Sequence, residues 1–143
     1  MEPLCLQKSI QAPLSKVYEA WTSADLMGQW FFPGSTMSCE ATCDFRVGGQ
    51  YKLLMHDNDK EFPHHGEYRE IVENKKLVFT WNSGRAQDTL VTLEFSGNEQ
   101  STDLKLTHEL FRDESQKHDH NMGWNGCLGN LAAFVVGQTA VQT

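Results

Sequence analysis

The chain has 143 residues, of which 39% are hydrophobic and 22% charged, enough to bury one domain core without disulfides or a metal. Its 12 basic and 19 acidic residues give a net charge of −7 without a basic cluster, which argues against a nucleic-acid partner. No apolar run reaches the length of a membrane span, and residues 1–10 lack the pattern of a signal peptide. We therefore expect a single cytoplasmic domain over residues 1–143.

The first predicted elements are a strand and two short helices. Alternating apolar residues predict a strand over residues 4–11. Apolar residues at helical spacing predict helices over 16–21 and 24–30, the second of which ends in the aromatic run 30–32. The residues expected to cap these helices are Ser15 for the first and Thr22 or Ser23 for the second.

Six further strands follow in close succession. Each is predicted from alternating apolar and polar residues, and the turns between them are short and rich in glycine, asparagine and aspartate. Strands joined by such short turns form an antiparallel meander. The predicted strands cover residues 39–45, 51–55, 66–73, 76–81, 91–95 and 104–110, with a polar loop at 57–60.

Residues from about 114 to 138 are predicted to form one long helix. At 1.5 Å per residue this helix is about 37 Å long, which can span a seven-stranded sheet but cannot fill the space across its whole width. A partly empty interior is therefore expected, and such apolar concavities are typical sites for small molecules. The apolar stripe of the helix consists of Trp124, Leu128, Leu131 and Val135.

Three glycines on this helix, Gly123, Gly126 and Gly129, each cost about 1 kcal/mol relative to alanine. Their three-residue spacing places them on neighbouring turns of one face, where they form a groove without side chains. The groove either allows a close contact with another element or leaves space for a ligand. A loosely formed helix is the alternative interpretation.

Five segments of the chain together resemble a known superfamily, in the same order along the sequence. The resemblance is to the helix-grip, START-like superfamily (SRPBCC), in the branch named after the activator of the heat-shock-protein-ninety ATPase. It implies an α+β fold in which a curved, seven-stranded antiparallel sheet grips a long C-terminal helix, with a cavity between them. The matching segments are 19–34, 46–55, 66–81, 104–111 and 123–134.

The same resemblance implies several functions. Members of the superfamily bind lipids, sterols, polyketides and hormones, and a few catalyse cyclisation or hydrolysis. The name of the branch implies a chaperone as a protein partner.

His108 is the first candidate for chemistry, because strand alternation places it on the inward face with Leu106. An imidazole there could bind the polar end of a ligand or act as acid and base, with Tyr68 or Glu70 as helpers. The alternative is a core histidine satisfied by an internal hydrogen bond. Glu70 would need a partner if it faced inward, and strand parity could equally turn it outward.

Aromatic residues are the second signal, since many of them fall on segments that should face the interior. Aromatic walls with a few polar atoms suit a flat, apolar ligand, although ordinary core packing explains each residue equally well. The predicted lining of the ligand cavity is Trp30, Phe32, Met55, Tyr68, Phe79, Trp81, His108, Trp124 and Leu128.

No metal or cofactor is predicted. The cysteines at 5, 39, 43 and 127 lack zinc spacing and are expected to be reduced thiols. On a helix His118 and His120 point to nearly opposite sides, so they cannot chelate one ion together. No phosphate-binding loop or nucleophile elbow occurs.

Three functions remain open at this level. The first is the binding of a small apolar or aromatic molecule in the cavity, by a monomer or weak homodimer without chemistry of its own. The second is a small-molecule enzyme of the cyclase or hydrolase type, with His108 as acid or base. The third is a cochaperone-like module that binds a chaperone, and an exposed apolar patch would favour it.

Overall fold

The computed structural model describes residues 2–34 and 36–141, which form seven strands and three helices. In chain order these are β1 (Leu4–Ile10), α1 (Leu14–Ala20), α2 (Ala24–Trp30), β2 (Ser38–Cys43), β3 (Gln50–Asp57), β4 (Lys60–Val72), β5 (Lys76–Ser83), β6 (Ala86–Gly97), β7 (Thr102–Glu109) and α3 (Glu114–Val141).

The strands form one antiparallel sheet in the order β1-β7-β6-β5-β4-β3-β2. Every pair except β1 and β7 joins strands that are consecutive in the sequence, so β2 to β7 are the predicted meander. The sheet curves around α3, whose apolar stripe is fully buried against it: Trp124, Leu128, Leu131 and Val135. The predicted helix-grip architecture is confirmed.

Only the second short helix begins at an expected cap. Ser15 is not the cap of α1, because the helix starts at Leu14 with Pro13 as its N-cap and no side-chain cap. The Pro13 carbonyl accepts the backbone N–H groups of Lys16 and Val17, and α1 begins two residues earlier than predicted. Ser23 does cap α2, where its hydroxyl accepts the N–H of Leu26.

Strand β4 begins at Lys60, six residues before the predicted start at Gly66. Residues Asn58 and Asp59 form a two-residue hairpin turn, with Asn58 at a positive φ of 57° that asparagine tolerates. Residues 60–64 pair with β3, whereas pairing with β5 starts at His65. The prediction missed this part because it is mostly polar and contains a proline, which edge positions accept.

Gly126 is where α3 makes its closest contact with another element. A Cβ atom there would collide with the backbone carbonyl of Pro33, in the loop after α2. Asn130, one turn further on, donates a hydrogen bond of 2.7 Å from Nδ2 to the Phe32 carbonyl, so two adjacent turns hold the same loop. Cβ atoms at Gly123 and Gly129 would meet nothing within 4 Å. The close contact is therefore with a loop rather than with the sheet.

Candidate ligand cavity

A cavity of about 530 Å³ opens between the sheet and the first half of α3. Its walls come from the β3–β4 hairpin, the turn between β5 and β6, the loop after α2 and one face of α3. The lining residues are Pro33, Met37, Met55, Asp57, Glu61, Phe62, Pro63, His64, Trp81, Ser83, Gly84, Arg85, Asp119, His120, Gly123, Trp124 and Cys127.

Two tryptophans form the inner apolar wall. The rings of Trp81 on β5 and Trp124 on α3 lie 5.0 Å apart between centroids, and both side chains are buried. The Nε1–H of Trp81 is buried and has no hydrogen-bond partner among the described residues. An unpaired buried donor costs about 1–3 kcal/mol, which is a local loss of stability at this wall.

The start of α3 fixes the orientation of His120. Asp113 accepts the backbone N–H of Gln116, and the Gln116 side chain accepts the N–H of Arg112, which is the reciprocal pattern of a helix start. One turn later, Nδ1 of His120 lies 2.8 Å from the Gln116 carbonyl oxygen. A carbonyl can only accept, so Nδ1 carries the proton and Nε2 of the neutral ring is an acceptor.

Burial keeps His120 neutral. The residue is 9% exposed, and desolvation lowers its pKa below the usual value, against the opposing effects of the Gln116 carbonyl and Asp119. The ring meets Trp81, His108 and Phe111 at 6.5, 5.1 and 5.2 Å between centroids. A neutral imidazole with a free Nε2 therefore lies at the cavity wall.

His64, on the opposite wall, has a similar environment. Its Nδ1 donates to the Phe62 carbonyl at 2.9 Å, and its ring lies 4.9 Å from that of Trp81. Desolvation lowers the pKa of His64 to about 4, and the neighbouring His120 adds to this effect. Two neutral imidazoles thus line one cavity.

An ion pair stands at the mouth of the cavity. Arg85 Nη1, on the turn between β5 and β6, lies 3.3 Å from Asp119 Oδ2 on α3. The Arg85 side chain is 74% exposed, so this pair contributes about 0–1 kcal/mol to stability. Asp57 and Glu61 add two carboxylates from the hairpin, which makes the mouth acidic.

His108 lies behind this wall and has no free nitrogen. Trp124 Nε1–H donates to its Nδ1 at 2.9 Å, and its Nε2–H donates to Thr89 Oγ1 at 2.8 Å. The Thr89 hydroxyl in turn donates to the Trp81 carbonyl at 2.6 Å. His108 is fully buried, and desolvation lowers its pKa to about 2. The geometry is that of the core histidine with internal hydrogen bonds, and it offers no support for an acid or base at this position.

The predicted lining residues fall into three groups. Met55, Trp81 and Trp124 line the cavity. Phe32 is half-buried, and the buried ring beside it is that of Phe31, which lies 5.7 Å from Trp124. The remaining predicted residues are buried in the core without lining the cavity: Trp30, Tyr68, Phe79, His108 and Leu128.

Glu70 faces outward, which corrects its candidate role beside a ligand. It is exposed and pairs with Lys76 at 3.4 Å. The pairing of β4 with β5 shifts between Tyr68 and Glu70, so a bulge changes the alternation on which the inward placement depended. Tyr68 is buried, and desolvation raises its pKa far above the usual value, so its hydroxyl stays protonated near neutral pH and cannot act as a base.

The sequence analysis missed His64 and His120 as candidate site residues. His64 falls in the polar beginning of β4, which was predicted as loop. His120 was considered only as a metal ligand. Among the described residues no three His, Cys, Asp or Glu side chains are grouped as a metal site would require. The spacing of His120 from Trp124, one helical turn apart, is the signal that could have placed it on the inward face.

A family model supplies the closest link to known proteins. The model described as "Activator of Hsp90 ATPase homolog 1-like protein" matches residues 11–135, which is most of the chain. The chain belongs to this family. The branch of the helix-grip superfamily expected from the sequence is therefore confirmed. A comparison with curated protein sequences finds no match.

Solved structures of AHSA1-like and related proteins share this fold. Protein CV1439 from Chromobacterium violaceum is 25% identical, with a TM-score of 0.83 over 94% of this chain and 98% of that one. An AHSA1-like protein from Aeromonas hydrophila is 18% identical, with a TM-score of 0.78 over 95% and 94% of the two chains. DynU16, a protein of the dynemicin biosynthetic locus, is 20% identical, with a TM-score of 0.77 over 94% of this chain and 47% of DynU16.

No helix within residues 2–34 and 36–141 is long and apolar enough to cross a bilayer. The compartment stays a prediction.

Proposed function

We propose that this AHSA1-like chain binds a small apolar or aromatic molecule in the cavity between the sheet and α3. The observation that carries the proposal is the Trp81–Trp124 wall in a cavity of about 530 Å³. A flat ring packs well against such a wall, and sites of this size with few polar groups suit small ligands.

The enzyme hypothesis has one observation in its favour. His120 is a neutral imidazole with an unbonded nitrogen at the cavity wall, which a proton-transfer reaction would need. DynU16 belongs to a biosynthetic locus, but the likeness to it shows the fold alone. We therefore keep the enzyme as a second candidate, with His120 in the place that His108 had in the sequence analysis.

The cochaperone-like alternative depends on an exposed apolar patch. Among the described residues, two exposed large apolar side chains lie on β4, two on α3 and two in loops: Phe62 and Val72, Met122 and Val136, Val47 and Leu110. This distribution gives a docking face no specific support, so the family name is the main ground for a chaperone partner.

Naphthalene, a neutral aromatic probe, tests the proposed function. We expect saturable shifts of the Trp81 and Trp124 indole resonances in a ¹H–¹⁵N NMR titration, with smaller changes at Trp30, which lies outside the lining.

Two glycine variants provide a matched control for this titration. Gly123 lines the cavity and Gly129 does not, yet a Cβ at either meets nothing within 4 Å. Gly123→Leu should fill the cavity and weaken naphthalene binding at least about tenfold, which corresponds to about 1.4 kcal/mol. Gly129→Leu should bind like the parent. Equal binding by the two variants would place the probe elsewhere and contradict the proposal.

A further inference from the structure

We propose that His120 Nε2 is the hydrogen-bond acceptor that selects cavity ligands bearing a hydroxyl group, such as phenols, over purely apolar or carboxylate-bearing ones. This inference rests on the proposed function and specifies the polar end of the ligand. The proton of the neutral His120 ring is on Nδ1. Because Nδ1 donates to the Gln116 carbonyl at 2.8 Å, Nε2 of the neutral ring can only accept.

Nε2 of His120 lies in buried, aromatic surroundings. No hydrogen bond joins Nε2 of His120 to another of the described residues, although the side chain is 91% buried, being 9% exposed. The rings of Trp81, His108 and Phe111 exclude water from its sides. A hydrogen bond in such surroundings is stronger than one in water, so a ligand donor there would contribute to selectivity.

The acceptor at this wall selects for a donor on the ligand. His120 supplies a lone pair, whereas the unpaired indole N–H of Trp81 is itself buried away from the cavity. A hydroxyl group is a small uncharged group that donates a hydrogen bond. A carboxylate or an ether only accepts, and neither can donate to Nε2.

The charges around the cavity also favour a neutral ligand over a carboxylate. The groups that face His120 are Asp119 on its own helix, Arg85 on the turn between β5 and β6, His64 on β4 and His108 on β7. Arg85 already pairs with Asp119, while both histidines are neutral. No free cation is therefore present at this wall, within the described part of the chain, to compensate a ligand carboxylate.

Protonation of His120 would reverse this selectivity. A protonated ring donates from both nitrogens, so Nε2 would accommodate the oxygen of a hydroxyl or, more favourably, of an anion. The preference for a hydroxyl ligand over a carboxylate should accordingly be greatest at neutral pH and should decline on acidification.

Three probes with one ring system test the inference: naphthalene, 2-naphthol and 2-naphthoate. At neutral pH we expect the wild-type chain to bind 2-naphthol about fivefold to tenfold more tightly than naphthalene, the effect of one hydrogen bond. 2-Naphthoate should bind most weakly. The ratio of 2-naphthoate to 2-naphthol dissociation constants should fall as the pH is lowered.

Variants at two histidines of α3 assign the effect to one residue. H120F should abolish the preference for 2-naphthol over naphthalene. H120Q, whose amide reaches the position of Nε2 and can accept, should keep part of the preference. H118F is the matched control, because His118 is exposed and lies outside the lining; it should behave like the parent.

The outcomes separate the two proposals. If none of the probes binds in the cavity, the proposed function fails. If naphthalene and 2-naphthol bind equally to the wild type, or if H120F keeps the preference, the role of His120 is wrong while the proposed function stands. Should H120F not fold, H120Q and the pH dependence of the wild-type ratio still decide the question.

Discussion

His108 and His120 are neighbours with opposite positions in the molecule. Their rings lie 5.1 Å apart at 83°, and desolvation lowers the pKa of both. His108 uses both nitrogens in hydrogen bonds to Trp124 and Thr89, whereas His120 uses one. An inward-facing histidine is therefore available to a ligand only if the fold leaves one of its nitrogens without a partner.

Trp124 joins these two regions. Its ring lines the cavity, while its Nε1–H donates to the buried His108. Trp81 shows the reverse, since its carbonyl accepts from Thr89 while its own Nε1–H has no partner in the described chain. Each of the two tryptophans therefore contacts the cavity with its ring and the buried hydrogen-bond network with one polar group.

The largest expected difference between the two sides is in stability. His108→Leu should reduce the free energy of unfolding by about 2–4 kcal/mol, since it leaves the buried Trp124 N–H unpaired and breaks the bond to Thr89. His120→Leu loses one hydrogen bond to a backbone carbonyl and should cost about 0.5–1.5 kcal/mol. Urea unfolding of both variants measures this; equal losses would show that the two histidines are not distinct.

Acid should destabilise the protein through the buried His108. The folded-state pKa of His108 is about 2, below the usual value of 6.5, so the unfolded chain binds more protons at any pH between them. The free energy of unfolding should therefore fall below about pH 6.5, with His108 alone contributing about 1.4 kcal/mol per pH unit.

His64 steepens this dependence down to about pH 4, its folded-state pKa. Urea unfolding as a function of pH measures the slope. In His108→Leu the slope should decrease by the His108 contribution, while above pH 6.5 it should match that of the parent. A slope unchanged by this substitution would mean that His108 titrates normally in the folded protein.

The glycines of α3 differ in how closely other parts of the molecule approach them. Gly126→Ala should destabilise the protein by about 1–3 kcal/mol, because its Cβ meets the Pro33 backbone and the collision exceeds the gain in helix propensity. Gly123→Ala and Gly129→Ala have open space and should stabilise by up to about 1 kcal/mol. Thermal unfolding distinguishes these signs. A more stable Gly126→Ala would show that the loop moves away easily.

The smallest effect concerns the reactivity of the thiols. All four cysteines are free in the structure, with Cys5 exposed and Cys39 and Cys127 buried. Burial raises the pKa of Cys39 to about 11 and that of Cys127 further, so both thiols stay protonated and unreactive. A thiol reagent should label Cys5 first in the native protein. After denaturation without reductant it should label four thiols, and a count of two or none would contradict free cysteines.

Alternation and helical spacing were sufficient for the fold. They located all seven strands and the long helix because inward and outward residues differ strongly in polarity over most of the chain. They did not locate residues 60–65, where the hairpin is polar and paired on one side for most of its length. The orientation of Glu70 was left open by the sequence, because a bulge shifts the parity and no local pattern indicates that shift.

The candidate site was only partly predictable, for a different reason. Burial of aromatic residues follows from the pattern, but whether a ring lines a cavity depends on how the elements fit together. Phe79 and Trp81 share a strand face, yet only Trp81 reaches the cavity. The availability of a histidine nitrogen depends on contacts between residues distant in sequence, such as His108 with Thr89.

The β3–β4 hairpin extends beyond β5 in the sheet. Residues 60–64 of β4 pair only with β3 in the described structure, and the hairpin supplies one wall of the cavity, including Met55, Phe62 and His64. Because side chains alternate, adding or removing two residues in each strand preserves which side faces inward, whereas a change of one inverts it. Lengthening this hairpin in steps of two would therefore change the size of the cavity while the pairing of the other strands stays the same.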